Sequence, residues 1–375
     1  MAVDLFGQFA ASVEAGEAEK AARMAKGLFH DLARETRWNP AYLLTMLGGL
    51  VEALTTGALT EPSYQARLRT YIETDNRFNE FVAWLTPAYK PPQNVPPAPG
   101  VLGVADPAVL ENSISTLRRD GYHLFEKRVP DEVMVRLESF ALQAPAKAIY
   151  PERRPSQDTA VDLTNKEVDG FQLDAQAVLD CPDVQALLMD PSFWSVARSY
   201  LGCEPVCIGA TMRWSVPSAR LPSDSLAQFY HWDAGWLNWL NFFFYVTDCP
   251  SPEYGPHVYV RGTHVHGAKP AELRQRFYAR ISDADIEQIY KRENIIPVTG
   301  PRGSVFAGDT RCWHKGLHPT GHHRLTLQFS FVSTPLLATR FFDRKLLFKN
   351  SHTEPFKVFV RENRDRFSPL YYDWE

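Results

Sequence analysis

The run Val206–Val216, VCIGATMRWSV, marks a change of character in the chain. It is followed by five more short β-rich runs: LAQFYHW (226–232), LNWLNFFFYVTD (237–248), HVYV (257–260), GSVFAG (303–308) and RLTLQFSFVS (324–333). Pro, Gly, Asp and Ser punctuate them, which is how short strands joined by turns read. Such a series predicts a sandwich or barrel and argues against alternating β-α units. A helical insertion is expected over about Ala271–Arg292. The last thirty residues read as a tail with one short helix over the domain.

Upstream the pattern is helical. Leu43, Leu47, Leu50, Val51 and Leu54, then Tyr64, Leu68, Tyr71 and Ile72, then Phe78, Phe81, Val82 and Leu85 recur at helix spacing, predicting four or five helices before residue 90. KPPQNVPPAPG (90–100) has five prolines, so it breaks a helix and favours an extended connector. The expected division is therefore a helical region 1–90, a Pro-rich linker 91–105, a β-rich domain 106–345 and a tail 346–375. Within the third part, a helix should end at Asp120-Gly121, a strand follow at Tyr122–Phe125, and a helix start at a capping Asp131. Residues 150–175 read as a polar loop, and a helix should run from about Val184 to Leu201 before Gly202.

At 375 residues, with 45% hydrophobic and 22% charged residues, the chain can bury a large core. A formal net charge of −4 provides no global footprint for nucleic acid or an anionic membrane. The five cysteines are an odd number in a chain this size, which points to reduced thiols and not to a disulfide framework; Cys203 and Cys207 have no partner pair at zinc-ligand spacing. The start of the chain lacks a basic and then apolar leader, and no apolar run is long enough to span a bilayer, so a cytoplasmic, soluble protein is expected.

Chemistry is concentrated in FYHWDAGW (229–236). On extended backbone, side chains two apart share a face, so His231 and Asp233 can converge on one point while Trp232 faces away. An imidazole and a carboxylate make two-thirds of a 2-His-1-carboxylate triad, the set that suits non-haem Fe(II); a hydrogen-bonded structural pair is the plainer alternative. The second signal is GDTRCWHKGLHPTGHHRLTLQFSF (308–331), where His314 follows one short strand and Arg324 opens the next. An arginine held by a buried strand needs an anion, and its planar fork fits a carboxylate.

With these landmarks on one chain, the region from about Leu110 to Pro335 resembles the phytanoyl-CoA dioxygenase family of Fe(II)/2-oxoglutarate oxygenases. The resemblance runs through LRRDGYHLF (117–125), HWD (231–233), FFFYVTDCPSPEYGPHVYVRGTH (242–264), GDTRCWHKG (308–316) and RLTLQFSF (324–331). It implies an α+β fold, a double-stranded β-helix of the jelly-roll, cupin-like kind with flanking helices. It implies His231, Asp233 and His314 as iron ligands and Arg324 as partner of the 2-oxoglutarate carboxylate, with Fe(II) as metal, 2-oxoglutarate as cosubstrate and O2 as oxidant. It further implies hydroxylation of an unactivated C–H bond with release of succinate and CO2, and the presence of Asp233 favours hydroxylation over halogenation. His318, His322 and His323 crowd His314, which is preferred because its ten-residue distance to Arg324 resembles the family spacing. His264 and His266 are expected to be structural, and Thr263 stands where the family commonly has Ser.

For the substrate, Trp236, Asn238 and Arg213 are candidate lining residues, and Arg213 could meet an acidic group. Most aromatic neighbours, Tyr230, Trp232 and Phe242 to Tyr245 among them, read better as core. A small molecule, free or linked to CoA or a carrier, is the expected partner, and a homodimer is possible. Two other readings are a catalytically silent jelly-roll scaffold and a cupin-type metalloenzyme that does not use 2-oxoglutarate; Arg324 discriminates against the latter.

Overall fold

The computed structural model describes residues 39, 41–56, 60–151, 155–223, 226–235, 238–276, 280–333, 345–368 and 371–375. Helices α1 (Ala41–Thr56), α2 (Glu61–Thr74) and α3 (Arg77–Tyr89) come first, followed by non-helical backbone through the prolines of 90–100. Then α4 (Pro107–Asp120), β1 (Tyr122–Leu124), α5 (Asp131–Gln143), β2 (Ala146–Ile149), β3 (Gln157–Thr159) and β4 (Gly170–Leu173) lead into α6 (Ala175–Asp180), α7 (Pro182–Met189) and α8 (Pro191–Leu201). The β-rich part holds β5 (Val206–Ser215), β6 (Trp239–Tyr245), β7 (His257–Val260), α9 (Ala271–Gln275), α10 (Asp283–Ile289), β8 (Ile295–Val298), β9 (Val305–Gly308), β10 (His314–Gly316) and β11 (Arg324–Val332). β12 (Leu346–Phe348), α11 (Glu354–Glu362) and β13 (Tyr372–Trp374) close the chain.

Local chemistry sets several of these boundaries. Asp106 caps α4 by accepting from Ala108 N (2.9 Å), Pro107 fits the first turn, and Gly121 ends the helix with φ +82°. Asp190 and Pro191 do the same for α8, and Gly202 ends it in the left-handed region. The single helix expected over 184–201 is therefore two, because Pro191 cannot continue the turn that ends at Met189. Asp131 is the first helical residue of α5 and makes no cap bond; Pro130 precedes it.

Antiparallel pairing builds an eight-stranded sheet in the order β1-β9-β6-β11-β5-β4-β2-β3. A smaller sheet, β10-β7-β8, is widened by the bridges His231↔His314 and Tyr230↔Ile281. The expected strand LAQFYHW is thus reduced to isolated bridges. The expected loop 150–175 instead contributes β3 and β4, with Phe171 and Leu173 buried and β4 paired to β5. The insertion is two short helices, and the tail adds a parallel β12/β13 pair that the sequence reading missed.

Side-chain alternation sorts the large sheet into two unlike faces. On β11, Leu325, Leu327, Phe329 and Phe331 join Met212, Trp214, Leu240, Phe242 and Phe244 in a core closed by Leu117, Leu137, Phe193 and Trp194 of the helices. Phe193 meets Phe242 edge-on at 5.1 Å and Phe329 at 5.7 Å. The intervening residues Arg324, Thr326 and Gln328 of β11, with Thr211, Arg213 and Ser215 of β5, turn to the other side and line a cavity. The smaller sheet forms the opposite wall, its outer side covered by Leu68 and Tyr71 of α2 together with Ile286 and Trp313. Tyr245, Tyr259, Val298 and Phe306 close the space between the sheets at one end. Two antiparallel sheets with helices outside and a polar interior make an α+β double-stranded β-helix of jelly-roll type. Among the described residues no helix is long and apolar enough to cross a membrane.

Candidate metal centre and its cavity

His231 and His314 face each other across a mutual backbone bridge, with N–H to C=O distances of 3.0 and 2.9 Å. Their rings therefore emerge on the same side, with centroids 4.2 Å apart. Asp233, two residues on, donates its backbone N–H to the Thr310 carbonyl (2.8 Å). Its Oδ2 lies 3.8 Å from His314 Nε2, too far for a hydrogen bond and a span that one ion can bridge. One ligand atom from each of the three residues falls within 4.8 Å of the others.

The backbone fixes which nitrogen each imidazole presents. His231 Nδ1 lies 3.0 Å from the Phe229 carbonyl and His314 Nδ1 lies 3.0 Å from the Cys312 carbonyl. A carbonyl can only accept, so Nδ1 carries a proton in both rings and Nε2 is the nitrogen left to ligate. Burial, with His314 close by, pushes the His231 imidazole well below its ordinary value, which keeps it neutral and able to ligate.

Arg324 begins β11 with 6% of its surface exposed. Its Nη2 donates to Ser215 Oγ (3.1 Å), and Nε and Nη1 are buried without an acceptor. No carboxylate among the described residues forms an ion pair with it. A guanidinium left so is costly unless an anion arrives. The cavity between the sheets has a volume of about 1010 Å³ and contains both the triad and Arg324, with Asn241, Phe243, His257, Arg280 and Thr310 also in its lining. That is at the upper end of small-molecule pockets, about 300–1,000 Å³.

Distant elements hold the HxD segment from behind. Trp232 stacks on Tyr71 of α2 (4.4 Å, 18°), and Arg67 Nη2 donates to the Ala234 carbonyl (3.0 Å). The turn that supplies the Thr310 carbonyl is pinned by Asp309, which accepts from Arg311 Nε (3.0 Å) and from Tyr200 OH (2.7 Å). Burial alone would raise the Asp309 carboxyl, but Arg311 and these hydrogen bonds hold it well below the usual carboxylate range.

Of the sequence-predicted residues, His231, Asp233, His314, Arg324 and Arg213 meet at this cavity. Asn238 does not: it is buried, and its carbonyl accepts from Ser333 N (3.0 Å). Trp236 lies outside the described residues. The competing histidines are elsewhere. His318 bonds Ser218, His322 stacks on Tyr254 at 4.0 Å, His264 contacts Cys312 and the Arg118 carbonyl, and His266 pairs with Asp75. Tyr230, Trp232, Phe242, Phe244 and Tyr245 are core, whereas Phe243 lines the cavity. Sequence reasoning missed His257, Gln328 and Asn241; the polar positions of RLTLQFSF at every second residue were the available signal for Gln328. All five cysteines are buried and free.

No protein-family model matches the chain, and no curated protein sequence does either. Several solved structures are similar to part of it. The non-heme alpha ketoglutarate dependent epimerase SnoN from nogalamycin biosynthesis is 18% identical over 60% of this chain and 84% of its own, with a TM-score of 0.45. HygX from Streptomyces hygroscopicus, with nickel and 2-oxoglutarate bound, is 12% identical over 66% and 93%, with a TM-score of 0.42. EvdO2 from Micromonospora carbonacea var. aurantiaca, complexed with 2-oxoglutarate, is 16% identical over 60% and 90%, also at 0.42. At these values the likenesses say nothing of this chain's reaction.

Proposed function

We propose that the chain is a non-haem Fe(II)/2-oxoglutarate-dependent oxygenase of the phytanoyl-CoA dioxygenase kind, acting as a hydroxylase on a small organic molecule. The observation that carries this reading is the pairing, in one cavity, of a two-histidine, one-carboxylate cluster with a buried guanidinium that has two unfilled donors. The donor set fits the group: two imidazoles oriented through Nδ1 and one carboxylate on one side of an ion leave positions open for other ligands. His231, Asp233 and His314 would hold the metal, and Arg324 would take the far carboxylate of 2-oxoglutarate. Iron(II) with 2-oxoglutarate and O2 supplies a two-electron oxidation of a C–H bond coupled to decarboxylation of the cosubstrate to succinate and CO2.

The chain's own residues supply position and exclusion. Arg324 Nε and Nη1 are the donors still open to a carboxylate, and Ser215 fixes the plane of the guanidinium through Nη2. The Phe229 and Cys312 carbonyls keep the proton on Nδ1 of each histidine. Phe243 and Trp239 cover part of the cavity wall and limit bulk water there. A silent scaffold has no use for buried donors left unfilled. A cupin-type enzyme without 2-oxoglutarate would leave Arg324 unexplained.

Anaerobic equilibrium dialysis tests the reading. Stoichiometric Fe(II) is expected on the wild-type chain, lost in His314→Ala, with 2-oxoglutarate binding tightened by the metal. Metal binding that survives His314→Ala unchanged, or 2-oxoglutarate binding indifferent to metal, would refute it.

A further inference from the structure

A second guanidinium in the cavity lacks a counter-ion. Arg213 pairs with Thr326 in register on the β5/β11 ladder, one step from the Ser215↔Arg324 pair, and both arginines line the same space. Its Nε donates to Gln172 Oε1 (3.0 Å), and Gln172 Nε2 is itself tied to the Met212 carbonyl (3.0 Å). This leaves the two Nη groups as the end of the side chain that can meet a ligand. No carboxylate among the described residues pairs with Arg213, and the only acid among the described lining residues is Asp233. Burial and the nearby Arg324 charge pull the Arg213 guanidinium down to about 10, so it is still a cation at neutral pH.

Charge counting shows what is missing. With the metal-centre reading above, a divalent iron, the Asp233 carboxylate, the two carboxylates of 2-oxoglutarate and the Arg324 cation cancel. The lining cations Arg213 and Arg280 stand outside this count, in an interior where an uncompensated charge is expensive, and Arg213 is the one on the strand beside Arg324. Resting on that reading, we infer that Arg213 is the substrate anchor, and that the substrate carries an oxyanion group, a carboxylate or a phosphate ester, held end-on by the two Nη groups. Gln172 is the positioning residue that aims it. A charged anchor on a strand beside the triad fixes the distance from the substrate's anionic end to the carbon that reacts, which is the orientation such a reaction requires.

Calorimetry on the chain with anaerobic Fe(II) and saturating 2-oxoglutarate tests this. The probes are hexanoate, inorganic phosphate and neutral hexan-1-ol. At least one anion is expected to bind wild type and hexan-1-ol is not, and the anion that binds tells a carboxylate from a phosphate. Arg213→Gln should weaken that anion about tenfold or more, the loss of a charge-assisted bond. Arg213→Lys should recover part of it, and 2-oxoglutarate affinity should hold in both variants. The inference is overturned if neither anion binds wild type, or if anion binding survives Arg213→Gln. It is also overturned if Arg213→Gln weakens 2-oxoglutarate as much as Arg324→Gln does, since both guanidiniums would then share one carboxylate. Failure of 2-oxoglutarate itself to bind wild type is a separate result, which removes the metal-centre reading and this inference with it.

Discussion

Arg324 keeps Nε and Nη1 buried without an acceptor from the protein, a state that an arriving anion would relieve. Replacing it by Gln should therefore cost 2-oxoglutarate affinity about 1.5–3 kcal/mol, roughly ten- to a hundredfold, while the triad keeps its metal. Calorimetric titration of the metal-loaded variant measures both numbers. These residues were legible because their signals are local: the HxD spacing lies within three residues, and His314 and Arg324 lie within eleven. His314 was preferred over His318 because its distance to Arg324 resembles the family spacing, and the structure places His314 beside His231 and Asp233 and His318 beside Ser218. Arg213 was recognisable as a candidate, but its tie to Gln172 spans 41 residues and depends on strand register. Asn238 misled because a residue just past the HxD need not point into the cavity.

At the scale of elements, the HxD segment is held by parts of the chain far from it. Tyr71 and Arg67 on α2 reach Trp232 and Ala234 across more than 160 residues, a contact that periodicity in either segment could not foretell. Tyr71→Ala removes a fully buried ring from this stack and should destabilise the fold by about 3–5 kcal/mol, read from urea unfolding. Because the ring backs the segment that carries His231 and Asp233, the proposed function predicts that Fe(II) affinity of the folded variant falls as well; unchanged affinity would separate α2 from the site. Gly121 is a second junction. It ends α4 at φ +82°, and a Cβ there would meet Cys312 Sγ at 2.2 Å and His264 Nδ1 at 2.9 Å. Gly121→Ala should cost at least about 1–2 kcal/mol from the left-handed backbone alone, with the clash added, and the same denaturation series measures it. The strands legible in sequence were the long apolar β5, β6 and β11 and the short β1, β7 and β9. β3 and β4 were hidden because they sit in a polar stretch, and their places come from pairing, β3 to β2 and β4 to β2 and β5.

Over the whole molecule, the outer faces of the two sheets carry the apolar core and the space between them carries the ionisable groups. This arrangement has a pH signature. Burial pushes His231, His257 and His318 below their ordinary values, so the unfolded chain takes up protons that the folded chain refuses. Stability of the metal-free protein should then rise with pH through about 6.5, the unfolded histidine value, and fall below it. The depressed Asp309 carboxyl acts in the same direction at lower pH. Urea midpoints at pH 5 and pH 7 check this; equal midpoints would contradict it. The central claim is that the triad and Arg324 together receive iron and 2-oxoglutarate. Anaerobic addition of Fe(II) and 2-oxoglutarate should give the weak visible metal-to-ligand charge-transfer band of a chelate in the wild-type chain. The band should be abolished in His314→Ala and reached only at higher 2-oxoglutarate in Arg324→Gln. No band in the wild-type chain, or a band indifferent to both substitutions, would contradict the assignment.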